Sequence, residues 1–190
     1  MSKGITKGII IREAEKLIEE NGISHFSLHV LAQRLHIKTA SLYSHISGMD
    51  EILEEASMDI LHQYHDYQMK TIKEKNGRDA LLSLAISERT YAQEHFSFYD
   101  LIMNLQLSDN ERLKEEASCL IQPIMTILDQ YDLNQNQKVN AERAFRASVF
   151  GFISQEKHKY FSHLSNDTKE SFLFCINTII DGIEAMKHAE

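Results

Sequence analysis

Apolar positions recur along this chain at the three- and four-residue intervals of helices, separated by short polar breaks. Ile10, Ala14, Leu17 and Ile18 predict a helix over residues 5–21, and Gly22 follows as its C-terminal stop. Ser27 is a natural N-cap for a short second helix whose apolar face is Leu28, Leu31, Ala32 and Leu35. After the break at His36-Ile37, residues 38–46 predict a third helix carrying Ala40, Leu42, Tyr43 and Ile46. Gly48-Met49-Asp50 is a second break, with Asp50 and Glu51 suited to the positive end of the next helix. That helix, marked by Ile52, Leu53, Ala56, Ile60, Leu61 and Tyr64, reaches about Lys75 and ends at Asn76-Gly77. Five more follow over roughly 79–94, 97–106, 110–131, 136–160 and 167–187, which makes about nine. Pro123 falls inside the 110–131 pattern, where it is expected to bend the helix and free the carbonyl of Cys119.

Two helices as short as the second and third cannot bury enough surface alone. They are expected to pack on the first as a three-helix cluster around Leu31, Ala32, Leu35, Ile37, Leu42 and Ile46. Short helix, tight turn and short helix form a helix-turn-helix, and His36 stands where such turns often need a positive φ, which histidine tolerates. The expected fold is therefore all-α: an N-terminal helix-turn-helix domain over residues 1–48 and a C-terminal helical bundle over 49–190.

Composition agrees with long helices, since only 7 glycines and 1 proline occur in 190 residues. Cys119 and Cys175 have no metal-type spacing and sit in apolar helical stretches, which suits buried free thiols in a reducing compartment. No apolar run approaches a membrane span and Met1-Ser2-Lys3-Gly4 leads into no signal-peptide core, so a cytoplasmic protein without membrane contact is expected. The net charge of −8 is unevenly spread: residues 1–48 carry +2 and residues 49–190 carry −10. A mildly basic end on an acidic body suits a protein that touches nucleic acid with one end only.

The N-terminal residues are specific enough to point to a family. They run Ile10-Ile11-x-x-Ala14-x-x-Leu17-Ile18-x-x-x-Gly22, then Phe26-Ser27-Leu28-x-x-Leu31-Ala32-x-x-Leu35-His36-Ile37-Lys38. They close with Ser41-Leu42-Tyr43-Ser44-His45-Ile46-x-x-Met49-Asp50-Glu51-Ile52-Leu53. Over about residues 8–55 this resembles the TetR family of bacterial repressors, and Arg143-x-x-Arg146-x-x-x-x-Gly151-Phe152 is similar to a C-terminal helix motif of one TetR subgroup. The departures are His36 for the usual turn glycine, Lys38 for a small hydroxylated residue, and Met49 where many members carry a phosphate-binding lysine. Lys38 or Lys7 is the candidate to replace that lysine.

A recognition helix presents its outward side chains to base edges while its neighbours fix it on phosphates. With Leu42 and Ile46 inward, the outward set is Lys38, Thr39, Ala40, Ser41, Tyr43, Ser44 and His45. Lys38 suits guanine or a phosphate, Thr39 and Ser44 either, and Ala40 a thymine methyl. The resemblance implies phosphate contacts for Ser27, Tyr43 and His45, and His29 at the start of the second helix joins the DNA-binding set.

In the body, the 136–160 helix is apolar on nearly all sides, through Phe145, Val149 and Phe152 on one face and Phe150 and Ile153 elsewhere. The last helix repeats this with Phe172, Ile176, Ile179, Ile180, Ile183 and Met186. Either both are core helices of a monomer, or one face of each meets a second copy. The resemblance implies a homodimer paired through these two helices, with Phe150, Gly151, Ile176, Ile180 and Ile183 at the interface, on a palindromic double-stranded operator. It also implies a pocket for a small apolar or amphipathic effector, for which Tyr64, Tyr91, Phe98, Tyr99, Met103 and Met125 are the candidates; plain core packing is the competing reading of each. Phe96 belongs to the same aromatic group.

The expected function is a ligand-responsive transcriptional repressor released from its operator by the effector, with no cofactor, no metal and no enzymatic role. Asp59, His62, His65 and Asp66 have metal-ligand chemistry at helical spacing but no companion cluster. No phosphate-binding glycine loop, nucleophile elbow, HExxH helix or Glu-x-x-His pair occurs. A helical adaptor, or a metal-binding bundle enzyme, is the alternative; the adaptor leaves the N-terminal motif unexplained.

Overall fold

The computed structural model describes residues 4–105, 110–163, 165 and 167–186. Among them there is no strand, and ten α-helices follow one another. They are α1 (Lys7–Asn21), α2 (Leu28–Arg34), α3 (Thr39–Leu42), α4 (Met49–Ile72) and α5 (Gly77–Glu94). After these come α6 (Phe96–Met103), α7 (Glu111–Ala117), α8 (Gln122–Leu128), α9 (Gln135–Lys157) and α10 (Thr168–Ala185).

The tenth helix comes from the expected 110–131 element, which is two helices joined by a 3-10 turn over Ser118–Ile121. Pro123 therefore does not kink a helix interior: it lies in the first turn of α8, where its missing N–H would have had no partner. The carbonyl it was expected to free belongs to the 3-10 turn instead.

The chain divides into two compact units, Met1–Tyr64 with Ala92–Ser118, and His65–Tyr91 with Cys119–Glu190. In the first unit Ile10, Ile18, Leu31 and Leu42 are fully buried, so α1, α2 and α3 close on one core. Thr6 caps α1 and Gly22 ends it at φ 75, its N–H donating to the Ile18 carbonyl at 2.8 Å. Polar ties hold the same helices: Arg34 forks onto Glu20 at 2.5 and 2.7 Å, joining α2 to α1. Lys7 of α1 reaches Glu51 and Glu55 of α4 at 2.6 and 3.1 Å. His95 Nδ1 lies 2.6 Å from Glu19 Oε1, and the Ser97 hydroxyl donates to the Glu19 carbonyl at 3.0 Å, which fastens the start of α6 to α1.

In the second unit α8 and α10 pack on α9 around Phe145, Val149, Phe172, Ile176 and Ile180. Asn134 and Gln137 cap α9 with a reciprocal box. Arg78 ties the start of α5 to Asn177, Asp181 and Glu184 of α10. Arg89 forks onto Glu156 of α9 at 2.5 and 2.8 Å, and its guanidinium lies 5.3 Å from the centre of the Phe172 ring.

The turn between α2 and α3 behaves as its residues require. His36 has φ 55, and the Ile37 N–H donates to the Ala32 carbonyl at 3.0 Å. A left-handed conformation costs a non-glycine residue about 1 kcal/mol. His36→Gly is accordingly expected to raise the unfolding free energy by up to about 1 kcal/mol, less glycine's extra freedom in the unfolded chain. Urea unfolding of both proteins measures the difference, and a lower stability for the glycine variant would contradict it.

Candidate nucleic-acid interface

α3 is four residues long and runs on as a turn, in which the His45 N–H donates to Leu42 O at 2.8 Å and Ile46 N–H to the same oxygen at 3.1 Å. Leu42 and Ile46 are buried at 0% and 5% exposure. Lys38, Ala40, Ser41, Tyr43, Ser44 and His45 are exposed and Thr39 is half-buried, so the structure brings the expected outward set together on one surface. Tyr43 projects furthest among the large side chains there, at 55% exposure.

The hydrogen bonds show which donors are committed. Ser27 Oγ accepts from Val30 N–H at 3.3 Å as the N-cap of α2, which leaves its own O–H to give. Gln33 Nε2 lies 2.9 Å from His29 Nε2, so with that nitrogen accepting, the His29 donor is Nδ1–H. Ser44 donates to the Ser41 carbonyl at 2.7 Å and keeps only its acceptor capacity. Lys7 is spent on α4: Glu51 takes Lys7 together with Ser47 N–H and O–H, and these bonds hold its carboxyl at about 2, with Lys7 correspondingly raised. Lys7 is thereby engaged with α4, whereas Lys38 is exposed and makes no such tie among the described residues.

Two family models match this chain: "Bacterial regulatory proteins, tetR family" over residues 10–56 and "Tetracyclin repressor-like, C-terminal domain" over residues 81–179. The chain belongs to the TetR family. It is a DNA-binding transcriptional regulator. The TetR chain is 25% identical over 182 residues, 95% of its length and 93% of the relative's, to the HTH-type transcriptional regulator YobS of Bacillus subtilis. Over 60 residues, 32% of this chain and 28% of the relative, it is 33% identical to the tetracycline repressor protein class D of Escherichia coli. Among solved structures, a TetR variant from Acinetobacter baumannii AYE in complex with minocycline matches with TM-score 0.66 at 20% identity, covering 98% of this chain and all (100%) of that one. The Streptomyces coelicolor TetR family protein ActR in complex with actinorhodin matches with TM-score 0.67 at 16% identity, covering 97% and 99%. These likenesses extend the shared fold across both units of the TetR chain.

The expected pocket residues do not form one group within a unit. Tyr64, Phe98, Tyr99 and Met103 belong to the first unit, where the Tyr64 and Tyr99 rings meet edge to face at 6.2 Å. Tyr91 and Met125 belong to the second, where Tyr91 packs on Tyr67 at 5.2 Å. Buried polar residues of α4 and α5 escaped the sequence reading: Gln68 is 3% exposed and donates to Glu88 at 3.1 Å, while Tyr67 donates to the carbonyl of buried Ser87 at 3.3 Å. A Gln, a Ser and a Glu on otherwise amphipathic helices carry no periodic signal that they face inward.

The expected interface also needs correction. Phe150 is 40% exposed and Gly151 half-buried, but Ile176, Ile180 and Ile183 are at most 1% exposed on the single chain. They hold α10 against its own unit and present nothing to a partner. The exposed line of α10 is instead Phe174, Thr178, Gly182 and Ala185, with Phe174 at 75% exposure. His62 pairs with Glu116 at 2.7 Å and His65 with Gln122 at 2.8 Å, so the two histidines are not brought to a common point. Among the described residues no three metal-ligating side chains gather, and no helix is long and apolar enough to cross a membrane.

Proposed function

We propose that this protein represses transcription as a homodimer on a palindromic operator and is released by a small effector. Residues 1–48 serve as the DNA-reading domain and residues 49–190 as the sensing and pairing domain, in the cytoplasm and without catalytic activity. Ser27, His29, Lys38, Thr39, Ala40, Ser41, Tyr43, Ser44 and His45 carry the DNA contact. The observation that supports this most is the division of the α3 segment into a buried pair, Leu42 and Ile46, and an exposed polar side headed by Tyr43. Pairing runs through α9 and α10, with Phe150 and Gly151 joined by the exposed line from Phe174 to Ala185. Burying Phe174, an aromatic ring three-quarters exposed on the free chain, favours that arrangement.

The test is fluorescence polarisation on fragments from upstream of the protein's own gene, across a salt series. Specific binding that weakens steeply with salt is expected. Tyr43→Ala is expected to weaken it roughly ten- to a hundredfold, the range for losing one hydrogen bond to a charged group. Failure to enrich any sequence at low salt would overturn the reading.

A further inference from the structure

The first unit contains a cleft of about 490 Å³ that none of the expected pocket residues lines. Its volume lies within the range of small-molecule sites. Its lining includes the aliphatic side chains of Leu53 from α4, Leu101 from α6 and Leu113 from α7, together with Leu105 and Ile23. Three carboxylates also line it, Asp50 and Glu54 from the first turns of α4 and Asp100 from α6, and no Lys or Arg does.

The charges in this lining are only partly engaged. Arg112 approaches Glu54 at 3.7 Å but sits closer to Glu55, at 3.2 Å. Asp100 accepts from the Asn104 amide at 2.9 Å. Among the described residues no hydrogen bond or ion pair satisfies Asp50. Deeper on the same helix is Ser57, which is 4% exposed and lines the cleft, and whose hydroxyl makes no hydrogen bond within the described residues. Ser57 is thus the hydroxyl that an occupant of the cleft would meet.

We propose that this cleft binds an amphipathic organic cation, with its apolar body on the leucines and its ammonium N–H donors shared among Ser57, Asp50 and Glu54. Carboxylates beside low-dielectric walls focus a field that favours a cation and rejects an anion of the same shape. The position gives the occupant leverage on the DNA-reading helices. Its walls are α4 and α6, and both are tied to α1, by Lys7–Glu51 and by His95–Glu19. A ligand that changes their spacing changes what α1 rests on, and so biases the head between arrangements. This coupling rests on the regulator reading; the binding itself does not.

The probe is 3,3-diphenylpropylammonium, titrated calorimetrically into the full-length protein beside 3,3-diphenylpropan-1-ol and 3,3-diphenylpropanoate, which share its apolar body. The ammonium is expected to bind at least tenfold more tightly than the alcohol, and the carboxylate not measurably. Asp50→Asn with Glu54→Gln is expected to abolish the preference for the ammonium while leaving alcohol binding and the thermal melt in place. Leu113→Trp, which fills the cleft, is expected to remove binding of both. Equal affinity for all three probes, or an ammonium affinity unchanged in the carboxamide variant, overturns the site. DNA affinity is then measured with and without the ammonium. A shift confirms the coupling, and no shift in a protein that binds both DNA and ammonium overturns the coupling alone. A protein that binds ammonium but no DNA instead refutes the regulator reading.

Discussion

Phe145→Ala is expected to lower the unfolding free energy by about 3–5 kcal/mol, the usual cost of emptying a buried phenylalanine site. Phe145 is 0% exposed at the middle of α9, with Val149 one turn on and also fully buried. α9 carries buried residues at Ala141, Phe145, Val149 and Ile153, so the lost ring leaves a cavity between helices held on both sides of it. Such a loss is a large part of a domain's typical 5–15 kcal/mol. Urea denaturation followed by circular dichroism measures it, and Phe145→Leu is expected to recover more than half, because a leucine refills most of the volume. A cost under about 1 kcal/mol would mean that α9 packs differently from the arrangement described.

The second large effect concerns Arg89 and Glu156. Their side chains are only 14% and 21% exposed, and the fork between them is completed by the Phe172 ring under the guanidinium. Removing one partner strands the other away from water, which for a pair this buried costs about 2–3 kcal/mol. Arg89→Met is expected to show that loss. Arg89→Met with Glu156→Leu is expected to return much of it, since two apolar chains of similar size leave no charge unpaired. The cycle of the two singles and the double yields a coupling of about 1–3 kcal/mol. The pH dependence has a definite sign. The Arg89 hydrogen bonds hold the Glu156 carboxyl below its ordinary 4.5, so its contribution is complete above that pH. It is lost as pH falls through the lowered folded value. The difference between wild type and Arg89→Met is therefore expected to be constant from neutral pH to about 5 and to shrink below. A gap that widens on acidification would contradict the pairing.

How much of this was legible in the chain follows from the kind of information each feature needs. Helix positions, the three-helix N-terminal cluster and the positive φ of His36 were readable because each is decided by residues within a turn or two of one another. The outward side of the α3 segment was readable for the same reason: once Leu42 and Ile46 are inward, helical spacing places Tyr43 and its neighbours outside. Pro123 was misplaced because an apolar run does not reveal whether it is one helix or two, and proline suits a first turn as well as it marks a kink.

The features that needed the tertiary structure are those where one helix offers two apolar faces. α10 carries Ile176, Ile180 and Ile183 on one line and Phe174 on another. Periodicity shows both lines, but only packing against α9 decides which is core, and it chose the isoleucines. The cleft was hidden more thoroughly, since Asp50, Ser57, Asp100 and Leu113 lie on three helices and share no motif. By itself the sequence determined an all-helical chain with a helix-turn-helix head, because local spacing and short-range turn chemistry suffice for that, while the resemblance over residues 8–55 pointed to the TetR family. The tertiary structure alone decided which faces are spent on the core and which remain for a partner or a ligand, because that depends on contacts between residues tens of positions apart.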